Sequence, residues 1–498
     1  MLTSIELDKF KSYGDRTMFD VKPLTILCGV NSSGKSSLIK SMLLMKQSFE
    51  NLATNNELTF NEKYCNCGSF RDVVYNRKAE SFTIKNGFKI ARGVDKNGNF
   101  NDYRDTVYYK ELKKMYRLPG KTLAEFDISS EIVVVQDNND NHGSVTGNKI
   151  QLYKLKINVF LQENEIRIPH ITTKIVLKRV GSSPFTYNIF IQDLPSTNQG
   201  EELYSGELEN CACYFSGAAL TNMYKQEMEQ DARNVLANLF AIFRIISNQY
   251  LSIKFIAPLR ETPKRYYISD RNVFDVGVSG ENTVLLFAKE RKRKKKNVVE
   301  PFQSEDLFSI NYVDMKMSEL VQRWMDYFGL GSLSLAGDTI LQLNVDGYNI
   351  VDVGFGVSQT VPLIVQSLIM RKDETLILEQ PEIHLHPQMQ MRMADFLLAQ
   401  ALSEKNMIIE THSDHIVNRV CRRVMENPAL ADKVKIYFID KNEYGVTVAE
   451  EVKIDKIDGI TIENPKFFYQ FASETEKIID VGYKNMMAAG DSDDVHSD

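Results

Sequence analysis

At 498 residues, with 43% hydrophobic and 25% charged side chains, the chain is long enough for two or three domains with substantial cores. No apolar run approaches the roughly 20 residues that span a bilayer, the charged start MLTSIELDKF is no signal peptide, and six cysteines do not make a secreted disulfide framework, so a reducing cytoplasm and no membrane partner are expected. The net charge of −6 gives no overall sign of nucleic-acid binding, yet Lys289–Lys296 (KERKRKKK) holds seven basic residues and one acid, a local +6 against −12 for the remainder.

In chain order, Ile5, Leu7 and Phe10 alternate with polar residues as a half-buried strand does, and an apolar strand follows at Leu24–Cys28. Next comes Gly29-Val30-Asn31-Ser32-Ser33-Gly34-Lys35-Ser36, a full match to G-x-x-x-x-G-K-[ST], and then helical apolar spacing over Leu38–Phe49. Strand, loop and helix together make a chance glycine-serine turn a poor account of this motif. Glycines let backbone N–H groups, among them those of Gly29, Asn31, Ser32, Ser33, Gly34 and Ser37, turn inward around phosphate oxygens, and the helix start adds its positive dipole end. Lys35 supplies charge for the β- and γ-phosphates, and the Ser36 hydroxyl can ligate Mg²⁺.

From 81 to 195 the runs Glu131–Val135, Ile150–Phe160 and Thr172–Val180 predict an antiparallel β-rich lobe, with a hairpin tip at Asp137–Gly147. From about 215 to 252 the spacing predicts helix, as it does over Ser318–Phe328. No heptad array is long enough for a coiled-coil arm. Beyond 340, strands at Thr339–Leu343, Thr375–Leu378 and Met407–Ile409 alternate with helices at Gln359–Met370 and Gln388–Leu402, which predicts a parallel sheet. The expected organisation is 1–80 and 336–455 as two parts of one α/β head, 81–200 as the β-lobe, 201–335 as a helical insertion with the basic loop, and 456–498 as an extension with an acidic tail.

Leu376-Ile377-Leu378-Glu379 is a buried strand ending in a carboxylate, the Walker B arrangement, in which Glu379 can hold Mg²⁺ beside Ser36. Met407-Ile408-Ile409 leads into Glu410-Thr411-His412-Ser413, placing the His412 imidazole to reach a γ-phosphate or an attacking water. GVNSSGKSS, LILEQPEIHLHP and IIETHSDHI together resemble the ABC-type AAA-family ATPases that include the overcoming-lysogenization-defect proteins and the ATPases of anti-phage systems such as PARIS and Septu. The resemblance covers most of the chain, with weaker matches at Cys67–Asp72, Ala257–Arg260 and Phe467–Phe471. It implies an ABC/SMC-type P-loop ATPase head that hydrolyses ATP to ADP and phosphate with Mg²⁺. It also implies a signature motif at Asp352–Gln359, where Gly356, Ser358 and Gln359 would cap the ATP of a partner in a head-to-head homodimer or higher homo-oligomer.

One departure bears on mechanism. The family's usual glutamate after Walker B is here Gln380, and an amide orients water but cannot take its proton. Three readings are open: slow hydrolysis with ATP as a clamp, Glu382 as the base, or an engineered trapping substitution. His384 and His386 read as part of a structural turn, and Cys65-x-Cys67 with Cys211-x-Cys213 as buried thiols rather than a zinc site. The basic run reads as a solvated loop or as a sequence-blind contact to a nucleic-acid backbone, with Arg260, Arg265, Tyr266 and Tyr267 as further candidates for that surface. The glutamine of the usual Q-loop is not placed; Gln47 is one candidate. After His412, 86 residues remain without the acidic constellation of a Toprim nuclease, so a separately encoded effector, a nuclease or toxin, is expected. The functional expectation is a sensor or scaffold ATPase of an anti-phage complex, the rival an SMC-like DNA clamp in repair or end processing; a transporter ATPase is disfavoured by the large β-rich insertion.

Overall fold

The computed structural model describes residues 1–467 and 481, apart from 52–57, 92–102, 120–121, 137–146, 164–165, 181–185, 196–203, 217–218, 225–229, 270–271, 303–308, 373 and 456–458. The expected hairpin tip, except Gly147, the segment 468–471 and the acidic tail lie outside the described residues.

The chain opens with β1 (Leu2–Asp8), β2 (Thr17–Asp20) and β3 (Leu24–Gly29), then α1 (Lys35–Glu50). β3 forms the middle of a six-stranded sheet whose order is Lys254–Ile256, Thr375–Glu379, Asn406–Glu410, β3, Val434–Lys441, Thr447–Glu451. All neighbours are parallel except the last pair. Both faces of this sheet are covered, which explains the continuous apolar runs. Alternate residues supply two different cores: Leu27, Ile377, Ile408 and Tyr437 face one, while Ile26, Leu376, Leu378, Met407 and Ile409 face the other. The second core is closed by helices Thr283–Glu290, Met317–Phe328, Phe355–Ile369, Pro387–Leu402 and Asp414–Glu426, with Trp324 at its centre against Phe396.

The first core is shared with α1, helix Gln230–Leu251 and a nine-stranded antiparallel sheet. That sheet runs β2, β1, β4 (Ser81–Ala91), β5 (Leu123–Gln136), β6 (Asn148–Glu163), β7 (Ile166–Arg179), β8 (Thr186–Pro195), β9 (Tyr204–Ser216), β10 (Ala219–Tyr224). Tyr250 ties the layers: its ring stacks 5.0 Å from Phe49 of α1, and its hydroxyl accepts from the Asn86 amide of β4 at 2.5 Å.

Four expectations need correction. The β-rich part is not confined to 81–200, because β1 and β2 close one edge and β9 and β10 extend the other. Helix therefore begins at Gln230, not near 215: the helix-favouring residues around Met223 pair with β9 instead, sheet pairing overriding local preference. The strand expected at Thr339–Leu343 exists as Ile340–Val345 but lies outside the parallel sheet, antiparallel to Leu333–Ala336. The basic run is likewise not one loop. Its first part ends helix Thr283–Glu290, and Lys294–Lys296 begin strand Lys294–Val299.

Candidate functional site

The C-terminal ends of β3, Thr375–Glu379 and Asn406–Glu410 lie side by side, the edge at which open parallel sheets place their ligands. The phosphate loop leaves β3 there. Gly29 at φ 129°, Ser32 at φ 58° and Gly34 at φ 120° give it a curvature that side-chain-bearing residues rarely adopt. At Gly34 a Cβ would stand 2.7 Å from Thr447 Oγ1 and 2.8 Å from Ser12 Oγ. The Thr447 hydroxyl donates to the Ser33 carbonyl (2.6 Å), and the Tyr13 hydroxyl donates to that of Gly34 (3.1 Å). The loop is thus buttressed by residues from both ends of the chain, neither of which the motif announces.

Lys35, 3% exposed, donates to the carbonyls of Gly29 (3.0 Å) and Val30 (2.7 Å), and burial lowers its pKa. Asn31 and Ser32 are exposed on the loop's outer turn, and Ser37 lies in the first turn of α1 with its N–H on the Gly34 carbonyl. The Ser36 hydroxyl donates to Glu410 Oε1 at 2.9 Å. Glu379 and Glu410 are register partners across two parallel strands, and burial, then Glu410, pushes the Glu379 carboxyl up to about 7. Glu410 itself is raised by burial, and its Oε2 is buried with no protein partner.

Two carboxylates and a hydroxyl converging beside a phosphate loop form a donor set for a hard cation. Among the described residues no three His, Cys, Asp or Glu side chains gather as a self-sufficient metal cage. Mg²⁺ keeps several waters and takes further ligands from substrate phosphates. Ser36, Glu379 and Glu410 are the residues that would hold it, its service being to neutralise phosphate charge. Glu410 is the residue the sequence reading passed over. Its signal was present: two successive buried strands, LILE and MIIE, end in glutamate.

Gln380 follows Glu379 at φ 47°, an unusual conformation for a residue with a side chain. Its N–H donates to the Glu410 carbonyl (2.7 Å), and its own carbonyl, with that of Glu379, accepts from Arg260 (3.4 and 3.3 Å). Glu382 Oε1 accepts the His412 N–H at 2.8 Å, so this carboxylate is engaged in placing His412. The exposed imidazole lines a 380 Å³ cleft with Gly29, Val30, Asn31, Thr411 and Ser413; burial, then Lys35, lowers its pKa.

The signature segment lies on the far side of this turn. Gly354 caps helix Phe355–Ile369; Gly356 backs onto the His384 carbonyl, and the exposed Phe355 ring lies 5.9 Å from the His384 ring. Ser358 and Gln359 are buried in their own subunit, and the Ser358 hydroxyl donates to the Phe355 carbonyl (3.0 Å).

The remaining candidates resolve into structure. His386 caps helix Pro387–Leu402. Cys65 and Cys67 lie with their sulfurs 3.7 Å apart, and buried Cys211 belongs to β9. Gln47 is buried and bonded to the backbone of Thr59 and Cys65. Of the expected basic surface, Arg260 is buried, the Tyr267 hydroxyl accepts from the Lys264 N–H, and Arg265 pairs with Asp352.

No helix among the described residues is long and apolar enough to cross a membrane. The chain is similar in fold to the SMC head domain from Thermotoga maritima (12% identity, TM-score 0.35, 91% of this chain and 99% of that one). It is also similar to the Pyrococcus furiosus Smc head domain with an extended coiled coil bound to the C-terminal domain of ScpA (10% identity, TM-score 0.37, 91% and 96%). No curated protein matches the sequence. The AAA ATPase domain family model matches residues 1–417, from the first strand through the His412 segment, and the chain belongs to that family.

Proposed function

We propose that this ATPase closes head-to-head around Mg·ATP and works as the sensor or scaffold of a prokaryotic anti-phage complex, holding or releasing a separately encoded effector. One contact carries the nucleotide part of this reading: the Ser36 hydroxyl on Glu410, with Glu379 in register beside it and Lys35 on the same loop. The exposed Phe355 beside Gly354 and Gly356, at the start of a helix, supports a signature offered to a second subunit. Gln380 in place of a carboxylate favours slow turnover, with ATP acting mainly as a clamp whose effect equals its preference for the closed state.

Lys35→Ala is expected to abolish ATP-dependent assembly in sedimentation velocity, and Gln380→Glu to speed hydrolysis. Unchanged assembly in the first variant would remove the nucleotide from the account; no acceleration in the second would mean that a base is not what is missing. Recovery of an effector with the natively expressed protein tests the defence role. The rival DNA clamp draws on the exposed Lys292, Lys294 and Lys296. It is weakened by Lys289, which donates to the Val273 carbonyl, and by Lys295, which donates to that of Ile369 (2.8 Å). Neutralising the three exposed lysines should leave assembly intact, and a loss of salt-sensitive DNA binding would favour the clamp.

A further inference from the structure

Gln380 directly follows the strand that ends at Glu379, and its backbone conformation is one that residues with a side chain rarely adopt. At φ 47° the residue lies in the left-handed region, disfavoured for a side-chain-bearing residue unless its surroundings impose it. His384, at the other end of the same turn, is also left-handed at φ 64°. The first peptide of the turn is gripped from two sides. On the inner side the Gln380 N–H donates to the Glu410 carbonyl at 2.7 Å. On the outer side Arg260 Nη2 donates to the carbonyls of Glu379 (3.3 Å) and Gln380 (3.4 Å).

Arg260 is itself unusual. It is only 8% exposed, and its Nε and Nη1 donors are buried without a protein partner. The acid it faces is Glu382, whose Oε1 takes the His412 N–H and whose Oε2 is buried and equally unpartnered. A guanidinium is costly to bury for packing alone, since its donors lose water without replacement. One guanidinium nitrogen carries two N–H groups, so Nη2 alone can hold two successive carbonyls at once. It arrives on the segment that leaves strand Lys254–Ile256, the edge neighbour of the Walker B strand, so its root is fixed by the same sheet.

We propose that Arg260 is a positioning residue for hydrolysis, holding the Gln380 peptide in its left-handed conformation so that the carboxamide is presented to the attacking water. This rests on the reading of the site as a hydrolytic one. Arg260 forms no bond to the reacting atoms; it acts through the Glu379 and Gln380 carbonyls that it holds.

The test uses the full chain with Arg260→Met, Arg260→Lys, Gln380→Ala and the double variant Arg260→Met/Gln380→Ala. Two readouts are taken: steady-state kcat and KM for Mg·ATP, and the melting shift produced by Mg·ADP with aluminium fluoride. Arg260→Met is expected to lower kcat about tenfold or more with KM within about twofold, and to lose most of the aluminium-fluoride shift while keeping that of Mg·ADP alone. Arg260→Lys, which keeps a donor to the carbonyls, should recover part of both and stands in if the methionine variant does not fold. In the Gln380→Ala background, Arg260→Met should cost less than about twofold further, because the residue it serves is gone. Fully additive losses, or a KM that rises as kcat falls, overturn the proposal while leaving an active ATPase. A wild-type chain that neither hydrolyses ATP nor responds to Mg·ADP with aluminium fluoride overturns the hydrolytic reading, and this one with it.

Discussion

Glu379 stands in register with Glu410 at the ends of two neighbouring strands. Burial, then Glu410, moves its carboxyl from near 4.5 to about 7. Between those values the folded protein holds more protons than the unfolded chain, so this group's contribution to stability is present at low pH and lost as pH rises towards 7. In the proposed site Mg·ATP takes Glu379 as the carboxylate, so the proton must leave, and affinity should climb about tenfold between pH 6 and 8. Glu379→Gln should flatten that climb, and calorimetry in two buffers of different ionisation enthalpy would count the released proton. A pH-independent affinity in the unaltered protein would mean that Glu379 does not face the ion. Lys35, Ser36 and Glu379 were legible in the sequence because a phosphate loop and a buried strand ending in an acid have strictly local requirements. Glu410 was present in the text but overshadowed by His412, two residues on. Arg260 could not be found that way: its role depends on carbonyls about 120 residues distant, and carbonyls carry no residue identity.

Among the elements, helix packing on the second core is fixed by one buried carboxylate. Asp395 of helix Pro387–Leu402, 0% exposed, accepts from Arg419 (2.7 Å) and Arg423 (2.8 Å) of helix Asp414–Glu426 and from the Tyr327 hydroxyl (2.7 Å) of helix Met317–Phe328. Three helices meet on that group. Asp395→Asn keeps the shape but removes the charge that the two buried guanidinium groups share, Arg423 keeping its pair with Glu426, and should lower stability by about 3–5 kcal/mol. Urea unfolding would measure it; a loss under 1 kcal/mol would mean that the helices are held by apolar packing alone. Elements with strong periods were readable to within a few residues: helix Gln388–Leu402 begins one residue earlier than its spacing implies, and helix Ser318–Phe328 likewise. β9 and β10 were not, because their state is set by pairing, and the segment around Met223 has helix-forming side chains in a strand-forming place.

For the whole molecule, β3 is bonded on one side to Asn406–Glu410 and on the other to Val434–Lys441. A fragment ending near residue 251 would expose both edges of β3, and two open edges of an apolar strand invite aggregation. Expressed alone it is expected to be insoluble; co-expressed with the rest of the chain it should dissolve and regain Mg·ATP binding by thermal shift. A soluble, nucleotide-binding N-terminal fragment would contradict this. The convergence of chain ends was inferred from motif order, whereas the joining of the β-rich region to β1 and β2 was not, because edge pairing leaves no composition mark.

The placement of β3 also has a temporal side. The strand leaves the ribosome early, yet its first lateral partner is made about 380 residues later, roughly 20 to 75 s at synthesis rates of about 5–20 residues per second. Throughout that interval the motif exists as text without being a receptor. A polypeptide broken off before Asn406 carries an intact Walker A sequence but no Glu410 to meet Ser36. The phosphate loop thus gains its Glu410 partner only after most of the chain has been made.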